Sequence, residues 1–202
     1  DWSSTLPDDN NSYLYYGFSG SFIFTEAFDV SNNILSFGKL RASIAQVGND
    51  VGPYRISQTY NVTSPFGSSP SLTVPDTRPN TELKPAISTD YEVGLDLRFL
   101  DGDLRLDGTY YESIAEDEIL QLDVSSSSGY DQVLINAGKF TKKGVELMLS
   151  GTPVQTQDFS VDMTVNWSKI LSNKVNKLHP DLKSRLLEKP TYFSTGSPIG
   201  LW

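Results

Sequence analysis

The chain has 202 residues, 16 basic and 25 acidic, for a formal charge of −9, and it holds no cysteine and a single histidine. Disulfides and thiolate metal sites are therefore excluded, His-rich zinc sites are excluded, and a concentrated basic surface for nucleic acid is not expected. Hydrophobic residues make up 38%, with ten Tyr, ten Phe, three Trp, 15 Gly and 11 Pro, a mixture that suits strands and turns. No apolar stretch approaches the ~18 residues of a membrane helix, which leaves a barrel open. The opening "DWSSTLPDDNN" lacks the basic and apolar regions of a signal peptide.

Six runs of period-two alternation follow in chain order, each predicting a strand with one apolar and one polar face. In "YLYYGFSGSFIF" Leu14, Tyr16, Phe18, Gly20, Phe22 and Phe24 share a face; in "FGKLRASIAQV" Leu40, Ala42 and Ile44 oppose Lys39, Arg41 and Ser43. "YEVGLDLRFL" sets Tyr91, Val93, Leu95, Leu97 and Phe99 against Glu92, Gly94, Asp96 and Arg98. "LRLDGTYYESI" sets Leu104, Leu106, Gly108 and Tyr110 against Arg105, Asp107 and Thr109. "GKFTKKGVELMLSG" sorts Val145, Leu147 and Leu149 from Glu146 and Ser150, with Met148 out of place; "FSVDMTVNWSKI" sorts Phe159, Val161, Met163, Val165 and Trp167 from Asp162, Thr164 and Asn166.

The connections alternate in length: "EAFDVSNNILS", then forty residues from Gly48 to Ser88, then "DGD", then "DVSSSSGYDQVLINA", then "TPVQTQD". Short turns on one side and long loops on the other are the pattern of an up-and-down outer-membrane barrel. Runs one, three and five would descend and the others ascend, with Val93, Leu95, Leu97, Val145, Leu147, Leu149, Val161 and Val165 facing lipid. Tyr91, Phe99, Tyr110, Phe159 and Trp167 lie where aromatic girdles would be. A secreted soluble β-sandwich, in particular a carbohydrate-binding module, is the alternative, since its strands also alternate.

Several stretches resemble the barrel of SusC/RagA-like TonB-dependent transporters of Bacteroidetes outer membranes. They are "DWSSTLPDDNNSYLYYGFSGSFIF", "LSFGKLRASIAQVGND", "ELKPAISTDYEVGLDLRFLDGDLRLDGTYYES", "NAGKFTKKGVEL" and "GSPIGLW", with Ala86 where the family usually has an acid. The resemblance implies an all-β fold, about six strands of a 22-stranded plugged barrel. Six strands cannot close such a wall, so residues 1–202 are expected to be part of a longer chain, without its signal peptide, plug and remaining strands. It further implies an importer of oligosaccharides or peptides that works with a SusD-like lipoprotein and, through an N-terminal part, with the TonB complex. No cofactor, metal, nucleic-acid partner or catalytic role is expected.

Other motifs are weighed as follows. "GKFTKKG" has the wrong spacing for a phosphate loop, and its Lys142 and Lys143 are expected near the outer interface, facing lipopolysaccharide. Glu112, Glu116, Asp117 and Glu118 pose a glycosidase-like cluster, but a solvated or lumen-lining role is expected. "NVT" at 61 and "NWS" at 166 match a glycosylation pattern that a bacterial origin makes irrelevant, and His179 reads as a surface residue. Ligand or partner contact is expected in the loops, at Tyr54, Arg55, Tyr60 and Phe66, with Tyr130 and Asp131 a second choice, because scaffolded aromatic-rich loops carry recognition.

Overall fold

The structure, a computed structural model, describes residues 1–177 in full and the backbone of 184–186, 191–194 and 200–201. His179 lies outside the described residues. The dominant element is one antiparallel meander of β1 (Gly17–Ile23), β2 (Leu35–Asn49), β6 (Ala86–Phe99), β7 (Leu104–Glu116), β10 (Lys139–Gln155) and β11 (Ser160–Lys177), hydrogen-bonded in that order. These are the six predicted runs, and each pairs with its neighbours in sequence. The other strands belong to the two long connections: β3 (Asn61–Phe66) and β4 (Ser69–Thr73) form a hairpin, and β5 (Thr77–Arg78), β8 (Ile119–Asp123) and β9 (Gln132–Asn136) form a small sheet. Short strands β12 (Ser184–Leu186), β13 (Thr191–Ser194) and β14 (Gly200–Leu201) make a fourth sheet.

Register sorts the side chains across the whole meander. Ala42 faces Val93, Val93 faces Tyr110, Tyr110 faces Val145, and the next row down runs Leu40, Leu95, Gly108, Leu147, Trp167. Residues directly opposite on neighbouring strands point to one face, so these rows form a continuous apolar surface. It is bare: Val93, Leu149, Val165, Trp167 and Phe18 are all exposed. A β-sandwich would bury this surface under a second sheet. Instead the buried hydrophobics among the described residues are Leu6, Leu83, Ala86, Leu134, Ala137 and Val175, at the long-loop end, so the sandwich alternative is not what the chain adopts.

The apolar surface is a diagonal band. Its upper edge lies at Phe18, Ile44 and Tyr91 on β1, β2 and β6, one row lower at Tyr110 and Val145 on β7 and β10, and lower again at Trp167 on β11. Its lower edge drops likewise, from Phe22 on β1 to Val161 on β11. A fall of two to three rows of ~6.7 Å over five strand spacings of ~4.8 Å is a slope of roughly 30–40°. That is the inclination strands take to the axis of a barrel, so the band would run level around one.

The strands outlast their alternation at the long-loop end. Pairing continues through Ala86–Asp90 and Asn173–Lys177, where no period of two is visible, because backbone hydrogen bonds there need no sorted faces. At the opposite end the first run stops early. Phe24 leaves the strand for a single helical turn, α1 (Phe24–Ala27), and its ring lies over Gly38, leaving no room for a Cβ there. Buried Thr25 accepts from the Gly38 amide at 3.0 Å and anchors that turn to β2. Between β6 and β7 the turn Leu100–Gly102 holds Leu100 and Asp101 at positive φ, a cost that tight reversal imposes.

Candidate functional site

The polar face of the meander carries a charge network that spans three strands, β2, β6 and β7. Asp96 on β6 is fully buried and meets Arg105 at 2.9 Å, Lys39 at 3.7 Å and Arg98 at 4.0 Å. Asp107 on β7 takes both terminal nitrogens of Arg41, at 2.8 and 2.9 Å, a two-pronged pair that fixes the guanidinium plane. Arg41 also donates to Thr109 at 2.5 Å and lies 3.6 Å from Glu92. Arg105 bridges the two acids, reaching Asp107 at 3.8 Å. Phe37 stacks under Arg98 at 4.6 Å.

Two glycines make room for this face. Gly94 lies under the Arg41 side chain and Gly144 under the Tyr111 hydroxyl, each with its would-be Cβ at 2.3–2.5 Å from that neighbour. Gly94→Val is expected to displace Arg41 from Asp107 and cost about 1–3 kcal/mol, as overpacking does. Chemical denaturation of the refolded barrel checks it, and an unchanged midpoint would count against the packing described. Beside the network is a hollow of about 800 Å³ lined by Arg41, Glu92, Tyr111, Lys142, Glu146 and Met148 among others. Met148, out of pattern in sequence, is therefore a wall residue of this hollow. Lys142 and Lys143 stand on opposite faces: Lys142 sits over the Tyr111 ring at 5.8 Å, whereas Lys143 pairs with Glu112 at 2.9 Å on the apolar side.

The long connections build a second site. Leu6, Leu83 and Leu134 form a small core joined by Tyr13, Val51, Ile56 and Ile119, and the segment before β1 is tied to it. Ser3 hydrogen-bonds Asp50, and the Asp1 backbone nitrogen donates to the Tyr13 carbonyl at 2.7 Å. Burial there, with Asp50 and Tyr15 close by, raises the Tyr13 phenol above its ordinary pKa, so it stays neutral. Asn136 clamps the bases of both loops, donating to the carbonyls of Lys84 and Asp117 and accepting from the Lys84 amide.

On this base lies a groove of about 570 Å³ whose lining includes Tyr54, Arg55, Gln58, Tyr60, Asp76 and Gln132. Three predicted contact residues, Tyr54, Arg55 and Tyr60, thus come together. Tyr130 joins at the edge, donating to Gln58 at 2.8 Å. Phe66 stands apart at the β3–β4 hairpin tip, and Asp131 is engaged within its own loop, accepting from Ser126 at 2.7 Å. Tyr54 adopts φ 62°, a conformation few non-glycine residues take, and presents its ring to solvent. Of the acidic cluster, Glu112 holds Lys143 and Glu116 holds Lys139 at 2.6 Å, and the register puts both pairs on the apolar side of the meander rather than on its polar face.

Sequence reading did not single out Arg41, Asp96, Arg105 and Asp107 as a network, nor Gln58 as the link to Tyr130. The available signal was opposite charge on the polar faces of adjacent runs.

Residues 1–194 match the family described as TonB dependent receptor-like, beta-barrel. The chain belongs to this family. TonB-dependent receptor P3 and TonB-dependent receptor P26, both of Formosa agariphila, are 29% and 28% identical to it over 180 and 184 residues. The matches cover 85% and 88% of this chain and 18% of each relative, so the chain spans under a fifth of the curated relatives' length. Among solved structures, the RagAB peptide transporter superposes with a TM-score of 0.88 at 24% identity, over 99% of this chain and 22% of that one. The siderophore receptor PirA from Pseudomonas aeruginosa gives 0.52 at 14% identity, over 84% of this chain and 30% of that one. TonB-dependent receptor barrels lie in the bacterial outer membrane, and the meander is a stretch of such a wall. In a closed barrel the free edges of β1 and β11 would be paired, which a bilayer demands.

Proposed function

We propose that this chain is barrel wall and outer loops of a TonB-dependent importer that takes up oligosaccharides or peptides. The observation that carries the proposal is the diagonal apolar band backed by a charged face, a surface suited to tilted strands between lipid and a polar interior. In this reading Val93, Leu95, Leu97, Val145, Leu147, Leu149, Val161 and Val165 face lipid, and residues 1–202 are one part of the barrel domain of a longer protein with its own plug. The importer works with a SusD-like surface lipoprotein and draws energy through the TonB complex. It makes and breaks no bond. The fold likeness to RagAB, a peptide importer, supports the peptide alternative, and the exposed Tyr54 and Tyr60 rings suit stacking on either substrate class.

Binding is proposed at the groove of Tyr54, Arg55 and Tyr60, with Tyr130 supporting it, and secondary contacts are proposed at Phe66 on the hairpin tip and Asp131 in its own loop, both outside the groove's lining. Replacing Tyr54 and Tyr60 together by alanine in the intact receptor is expected to weaken ligand binding about 10- to 100-fold, at ~1 kcal/mol per lost aromatic contact. Titration against a panel of oligosaccharides and oligopeptides measures it. A panel ligand bound equally by the double variant would place recognition elsewhere.

A further inference from the structure

The groove of Tyr54, Arg55 and Tyr60 is shared between two loops. Its lining takes Asp76 and Thr77 from the β2–β6 connection, and Gln132 and Leu134 from the β7–β10 connection. These two stretches run side by side. β5 pairs with β9 in parallel, Thr77 beside Gln132 and Arg78 beside Val133, and the Asp76 carbonyl accepts from the amides of Asp131 and Gln132 at 2.9 and 3.1 Å. Past Arg78 side chains carry the pairing on. Asn80 donates to the Leu134 carbonyl at 3.0 Å, and Asn136 engages both backbone groups of Lys84, accepting from its amide at 2.8 Å and donating to its carbonyl at 2.7 Å.

Asn136 gives its remaining donor to the Asp117 carbonyl at 2.9 Å, at the β7–β8 corner where Asp117 stands at φ 55°. A side chain that must meet two carbonyls and one N–H fits only an amide, since a carboxylate would set oxygen against oxygen. The limb that carries the aromatic rings is held to the same frame. Val51 and Ile56, on either side of Tyr54 and Arg55, pack against a core to which the segment before β1 and the two long connections each give one leucine, Leu6, Leu83 and Leu134. Gln58 then ties to Tyr130 across the two loops. Long connections left free sample many conformations, and ordering them at the moment of binding subtracts from affinity.

We propose that the two long connections form one preformed platform, and that Asn136 is the positioning residue that sets the groove upon it. The inference deepens the binding reading above and rests on it for the ligand. Asn136 is not part of the groove's lining, so it acts through Lys84 and the 76–84 limb and touches no ligand. The two loops open and close as one unit, and the rings of Tyr54 and Tyr60 meet a ligand without first being ordered by it.

Hydrogen–deuterium exchange of the intact receptor in detergent micelles, read by mass spectrometry, tests the platform without any ligand. Peptides covering 76–84 and 131–136 are expected to exchange slowly and alike in wild type, and both about 10-fold faster in Asn136→Leu, with 91–98 and 105–111 of the meander unchanged. Binding is then titrated with the member of the oligosaccharide and oligopeptide panel that wild type holds most tightly. Asn136→Leu should bind it about 10-fold more weakly. A disulfide at the Arg78–Val133 rung, from Arg78→Cys with Val133→Cys in the Asn136→Leu background, should restore protection and affinity until it is reduced. Asn80→Ala removes one rung and leaves the clamp, so a loss of about 3-fold in the same direction is expected, and it keeps the test open should Asn136→Leu fail to assemble. Fast exchange of either stretch in wild type, loss of protection in only one of them, or undiminished affinity in both variants overturns the proposal. Equal binding by the Tyr54 and Tyr60 double alanine variant defeats the groove reading instead, and the exchange result still decides the platform.

Discussion

Leu147→Arg is expected to destabilise the folded barrel by about 2–4 kcal/mol, the cost of a guanidinium near the bilayer midplane. Leu147 sits in the middle row of the band, between Gly108 and Trp167, and the Gly108 position leaves it 3.1 Å from the neighbouring backbone's would-be Cβ. Short of the headgroups in either direction along the strand, the charge has nowhere to snorkel. The same substitution at Ser150, on the polar face, should cost less than ~1 kcal/mol, because it enters a wet, charged surface. Urea titration of receptor refolded into phosphatidylcholine vesicles measures both. The contrast matters more than either value: a sandwich-like core would also penalise Leu147→Arg, but it would do so in detergent-free buffer as well.

Removal of Asp96 should have the second large effect. Its side chain is 1% exposed and holds Arg105, Lys39 and Arg98 together. Alanine there leaves three cations facing one another without their acid. Stripping one member from a buried ionic cluster costs ~3–5 kcal/mol, and the 30–44% exposure of the three bases argues for about 2–3 kcal/mol here. Asp96→Ala with Arg105→Ala should recover part of that loss, since the pair at 2.9 Å is removed together. A strictly additive double variant in equilibrium unfolding would show that Asp96 and Arg105 are not coupled as their geometry implies.

Much of the wall was readable from sequence because a strand between lipid and a polar interior must sort its side chains every second residue. "YEVGLDLRFL" and "VELMLSG" carry that period without help from any partner. What the period cannot deliver is register. Arg41 and Asp107 lie 66 positions apart, and only the pairing of β2, β6 and β7 brings them to 2.8 Å. The loops were expected to carry recognition, and of the residues named there Tyr54, Arg55 and Tyr60 share a groove, whereas Asp131 spends its side chain on Ser126. The β8–β9 hairpin was hidden in a serine-rich stretch, since "ILQLD" and "QVLIN" are too short for alternation to stand out. Lys142 and Lys143 show the same limit: neighbours in sequence, they serve opposite faces, and only the strand's phase tells which one lies on the apolar side.

Spin labels placed singly along β10 offer the most direct measurement of the central claim, that one face of this meander meets lipid and the other does not. The chain itself has no cysteine, so labels can be introduced one at a time from Val145 to Ser150 in the intact receptor, with any cysteine elsewhere replaced. Val145, Leu147 and Leu149 should be accessible to oxygen and shielded from a water-soluble nickel chelate, while Glu146, Met148 and Ser150 show no such lipid signature. Chelate access at Leu147 and Leu149, or no alternation along the strand, would contradict it.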